Sequence, residues 1–135
     1  MNRHEKALGI LKKGTVIPAT PLVLDENRKI DEKGIRLLMK YYLNCGVGGI
    51  ATAVHTTQFE IRKPEIALFD PILKIVSEEI DGFEKKNNKV IVKVAGVCGA
   101  AEQAVREAET AKKYGYDAVL LSPGGLNRLS EAELI

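Results

Sequence analysis

A chain of 135 residues suffices for one domain, read here as 1–135, but is only about half of the ~250 residues usual in a closed eight-stranded α/β barrel. With 45% hydrophobic residues, 28% charged residues and a formal charge of +2, the composition excludes disordered and collagen-like classes, and its scattered lysines argue against nucleic acid as a partner. Cys45 and Cys98 lack CxxC spacing and a histidine pair, and no apolar run approaches the ~18–20 residues of a membrane helix, so a cytoplasmic setting with no metal, cofactor or membrane partner is expected.

In chain order, the charged stretch Met1 to Lys13 reads as a short N-terminal helix and is followed by an apolar run, Thr15 to Ala19. Pro18 lacks an amide donor, which argues for an edge position or a break in the strand ladder there. Asp31 can cap a helix with the stripe Ile35, Leu38, Met39, Tyr42 and Leu43, and Gly46 follows where a left-handed residue ends helices. A second run, Gly49 to Val54, leads into His55-Thr56-Thr57-Gln58-Phe59-Glu60. Asp70 as a cap, with Pro71 at the first helical position, predicts a helix presenting Ile72, Leu73, Val76, Ile80 and Phe83, with Pro64 to Phe69 as a separate turn. A third run covers Lys89 to Ala95. The next helix packs Ala101, Ala104, Val105, Ala108 and Ala111 and ends at Gly115, and a fourth run spans Asp117 to Ser122. Ser130 followed by Glu133 starts a further helix as a capping box, which gives the expectation that the chain is truncated at Ile135.

Short β-branched runs alternating with helical segments are the pattern of βαβ units and a parallel sheet. The fold class is therefore α/β, and four such runs fit a (β/α)4 segment of a TIM (β/α)8 barrel preceded by a short helix. A small flavodoxin-like open sheet is the alternative at this length. No GxGxxG follows the first run, so dinucleotide binding lacks its glycine-rich turn.

In parallel α/β folds, reactive groups gather beyond the carboxyl ends of strands. The loop after the second run is richest, offering adjacent hydroxyls and amides suited to a carboxylate, although threonines also close turns for structural reasons. His55 reads either as a general base or as a residue stacked behind the site. Lys93 reads as a strand lysine whose ammonium reaches water through the helix layer, in preference to a desolvated nucleophile. Cys98 reads as a small buried thiol, and Gly124 and Gly125 as turn glycines in preference to a phosphate cradle.

Gly14-Thr15-Val16-Ile17-Pro18-Ala19-Thr20-Pro21, Asp31, Gly46-Val47-Gly48-Gly49-Ile50, His55-Thr56-Thr57, Val94-Ala95-Gly96 and Gly115 to Val119 running into Ser122-Pro123 together resemble the opening part of the dihydrodipicolinate synthase and N-acetylneuraminate lyase family. The resemblance implies that the segment is the N-terminal half of a TIM barrel, and it implies class I aldolase chemistry on pyruvate or a related 2-oxo acid, in which a lysine forms an imine that acts as an electron sink. It places Thr57 at the substrate carboxylate, Thr56 as the hydroxyl that passes protons, and a homo-oligomer as the assembly; His55 is expected at the substrate from its own loop position. Three departures accompany it: His55 stands where the family usually has glycine, Gln58-Phe59 replaces its Gly-Glu, and Pro123 is followed by Gly124-Gly125 instead of a tyrosine. The family's imine-forming lysine, after the sixth strand, and its tyrosine after the fifth both fall beyond Ile135. The rival expectation is a non-catalytic half-barrel scaffold that self-associates through exposed strand edges.

Overall fold

A computed structural model describes residues 1–124, 126–127 and 129–134; Gly125 and Ile135 lie outside the described residues. The elements are α1 (Arg3–Lys13), α2 (Glu32–Asn44), β1 (Gly49–Thr52), α3 (Phe69–Asn87), β2 (Val92–Cys98), α4 (Ala101–Lys113), β3 (Ala118–Ser122) and α5 (Glu131–Leu134), with 3-10 turns at His55–Thr57 and Phe59–Arg62. The three strands are parallel and lie in the order β1-β2-β3, pairing Ile50 with Lys93 and Ala95 with Val119. Consecutive order is what a barrel wall requires; a flavodoxin-like sheet puts its second strand outside the first.

The run at Thr15 to Ala19 forms no regular strand. It lies parallel to β1 through a single bridge, Ala19 to Ala51, with the Thr20 amide donating to the Ala51 carbonyl at 2.8 Å and the Ala51 amide to the Pro18 carbonyl at 3.0 Å. One step earlier the parallel ladder would use an amide of residue 18 as donor, and proline has none. The segment is thus a neighbour of β1 with its ladder interrupted at Pro18.

Local signals set the helix ends. Asn2 and Glu5 form a reciprocal capping box on α1, and the Asp31 carboxylate accepts from the Gly34 amide at 2.9 Å at the start of α2. Gly46 takes φ 82° just past α2, and Ile35, Met39 and Leu43 are buried. The start of α3 corrects the expectation: Leu68 is its N-cap, and Asp70 and Pro71 are its second and third residues. The first four helical amides have no intrahelical acceptor, so proline at the third position removes no bond. The register of β2 also differs, beginning at Val92 and continuing through Val97 and Cys98, because these pair with Leu121 and Ser122.

On α4 the buried face carries Glu107 and Ala111, whereas Val105, expected to pack, is 56% exposed. Burial of a carboxylate on this face depends on a partner elsewhere in the chain. Beneath the amino ends of the strands, Arg3 forks onto Glu84 and also donates to the buried Asp117 carboxylate at 2.7 Å and the Ile91 carbonyl at 3.0 Å, tying α1 to the sheet. Lys93 is buried and points into the helix layer, where its ammonium donates to Ser77 Oγ at 2.9 Å and pairs with Asp81. No described helix is long and apolar enough to cross a membrane.

Candidate functional site

A cavity of about 460 Å³ lies over the carboxyl ends of the strands, between Ala53 to Thr56 and Phe59 of the loop after β1, Gly96 and Val97 of β2, and Leu120 to Ser122 of β3. A larger cleft of about 760 Å³ opens at the opposite end, between α1 and the end of α3. The smaller one is where parallel α/β folds place their chemistry.

The backbone of the loop after β1 is sharply constrained. Ala53 turns out of the strand at φ 61°, and a Cβ on Gly96 would come within 2.4 Å of the Ala53 carbonyl oxygen, so only glycine lets β2 approach this turn. The Thr57 amide then donates to Val54 and the Gln58 amide to His55, both at 2.9 Å. Gln58 follows with φ 74° and ψ 128°, a conformation suited to glycine.

This turn separates the two hydroxyls. His55 and Thr56 are exposed and line the cavity. Thr57 is fully buried, and its hydroxyl donates to the Thr20 carbonyl at 2.6 Å, fastening the loop to the end of the Pro18 segment. The His55 ring lies 5.6 Å from that of Phe59, tilted by 53°. Cys98 is buried with its thiol pushed up by desolvation, against the opposing pull of Arg62, so it is a poor nucleophile near neutral pH.

Two residues with no motif of their own in the sequence, Arg62 and Glu107, stand directly behind the loop. Arg62 and Glu107 form an ion pair at 3.0 Å with only 9% of each side chain exposed. The signal for Glu107 was its place in line with Ala104, Ala108 and Ala111 on the apolar stripe of α4, since a carboxylate there needs a buried partner.

Three proteins put this geometry in context. N-acetylneuraminate lyase 2 of Escherichia coli O6:H1 is 29% identical over 104 residues, which is 77% of this chain and 32% of that protein. A dihydrodipicolinate synthase from Oceanobacillus iheyensis superposes with a TM-score of 0.70 at 21% identity, over 98% of this chain and 40% of that one. The chain resembles the dihydrodipicolinate synthase and N-acetylneuraminate lyase family. A further member, a prophage protein of E. coli K12 solved in complex with pyruvate, has a TM-score of 0.65 at 17% identity over 78% of this chain and 33% of its own. The α/β fold with its parallel sheet therefore resembles part of the family's barrel, and the chain spans about a third of the length of these family proteins. No protein-family model matches the chain.

Proposed function

We propose that this chain is the amino-terminal (β/α)4 part of a pyruvate-handling lyase or aldolase of the dihydrodipicolinate synthase type. The observation that carries the reading is the cavity at the strands' carboxyl ends, with Thr56 and His55 on its wall in the loop where the family resemblance puts substrate contacts. In this reading a lysine outside the chain forms the imine with the 2-oxo acid. The chain supplies the Thr56 hydroxyl for proton transfer, with His55 and Thr57 for the carboxylate. Thr57 reaches a carboxylate only by giving up the Thr20 carbonyl as its acceptor, so substrate binding is coupled to the loop's anchor. A cytoplasmic homo-oligomer completes the proposal.

Incubation with pyruvate and borohydride, followed by intact-mass and peptide mass spectrometry, tests the division of labour. This chain alone should give no lysine adduct, and a polypeptide extended through strands five to eight should give one. In the chain alone, pyruvate should still shift the amide resonances of His55 to Gln58. An adduct on Lys93, or resonances in that loop indifferent to saturating pyruvate, would overturn the proposal.

One observation favours a second reading, a self-associating half-barrel without catalysis. The described sheet ends at β3, whose Val119, Leu120 and Leu121 are 47%, 59% and 62% exposed. Under that reading no adduct appears in either polypeptide.

A further inference from the structure

The geometry points to Arg62 and Glu107 as a positioning pair that sets the aim of His55 and Thr56 without touching the cavity. The Arg62 guanidinium uses Nε for both Glu107 oxygens, at 3.0 Å each, and Nη2 for two backbone carbonyls, Ala53 and Gly96, at 2.9 Å each. Those carbonyls belong to the residue that turns out of β1 at positive φ and to the glycine that permits its approach. Glu107 in turn accepts from the Cys98 amide at 3.0 Å and from the Gln103 side chain at 2.9 Å. One buried ion pair therefore staples the ends of β1 and β2 to α4.

The same guanidinium reaches the loop's exposed end through aromatic rings. Its carbon lies 4.9 Å from the Phe69 ring centroid and 5.6 Å from that of Phe59, which is itself the ring against which His55 rests. A guanidinium is suited to this position because it is planar, stacks on rings and donates in several fixed directions; an ammonium can replace its charge but not the fork. A buried ion pair by itself contributes little net stability compared with apolar residues of similar volume. Its use here is to hold one loop conformation.

The proposal rests on reading the carboxyl-end cavity as the ligand site, so its test uses measurements that need no ligand. Three variants are compared: Arg62→Met, Arg62→Lys, and the double variant Arg62→Met with Glu107→Gln. The readouts are the thermal midpoint, the His55 ring-proton chemical shifts by NMR, which report its placement against Phe59, and hydrogen exchange of the Thr57 and Gln58 amides. Arg62→Met strands a buried carboxylate and lowers the thermal midpoint; the double variant recovers most of that loss because no unpaired charge remains. In all three the His55 ring-proton resonances move and the two amides exchange faster by about tenfold or more. A double variant that recovers the His55 ring-proton shifts and the exchange rates along with the thermal midpoint would reduce the pair to a structural filler. Wild-type values of both loop readouts in Arg62→Lys would also overturn the proposal. Pyruvate shifts are measured afterwards on the same samples. Their absence in wild type would sink the pyruvate reading and leave the positioning result intact.

Discussion

Gln58 holds φ 74° and ψ 128° immediately after the two threonines. A side chain in this region costs on the order of 1–3 kcal/mol, and glycine removes that strain while adding about half as much unfolded-state entropy. Gln58→Gly should accordingly raise stability by about 1 kcal/mol in urea denaturation, and a loss of stability would mean that the amide side chain makes compensating contacts. Cys98 and Tyr116 give a second prediction at this scale. Burial raises the thiol above its ordinary 9.0 and the phenol above 10.0. Both are neutral when protonated and hold the proton more tightly folded than unfolded. Their contribution is complete below about pH 8 and is lost as the pH climbs through 9.0 and 10.0 toward the folded values. Urea midpoints should therefore fall between about pH 8 and about pH 11, and Cys98→Ala should flatten the early part of that fall. An unchanged slope in the variant would show that Cys98 does not contribute.

Helix α3 shows what an element's beginning tolerates. Pro71 is its third residue, so its missing amide lies among those with no helical acceptor. Pro71→Ala should leave thermal stability unchanged or lower it by up to about 1 kcal/mol through unfolded-chain entropy. A gain of about 3 kcal/mol would place the proline in a true interior position. The elements also divide by what fixed them. Asp31 and Gly46 are local signals, and both ends of α2 were legible from them. The exposed side of α4 was misread because Glu107 is buried by Arg62, 45 residues away, and no periodicity reports a partner at that distance. The same holds in the site. A polar loop beyond a strand was enough to place His55 and Thr56 at the cavity, but the direction of the Thr57 hydroxyl is decided by the Thr20 carbonyl across 37 residues. The interrupted ladder at Thr15 to Ala19 was legible in Pro18 alone, since the missing donor is a property of that residue.

At the scale of the molecule, the outer side of β3 is the open edge of the described sheet. Strand neighbours share faces, so Val119 and Leu121 stand on the side of Ala95 and Val97, and Leu120 stands on the opposite side beside Gly96. Apolar residues on both faces are the mark of a strand meant to be covered on both, as barrel strands are. Here the three residues remain roughly half exposed, and β2 is the only strand paired with β3 among the described residues. An open edge carrying such residues is a template for pairing with another strand. The chain on its own should therefore self-associate in a concentration-dependent manner in sedimentation velocity, and Leu120→Lys should shift it toward monomer with little loss of thermal stability, since the substituted side chain is already largely in water. If the Lys variant associates as strongly as wild type, the contact lies elsewhere, and the cleft between α1 and α3 becomes the next surface to substitute. If wild type stays monomeric at high concentration, β3 is covered from within the chain or tolerated in solvent, and the self-associating scaffold loses its one supporting observation.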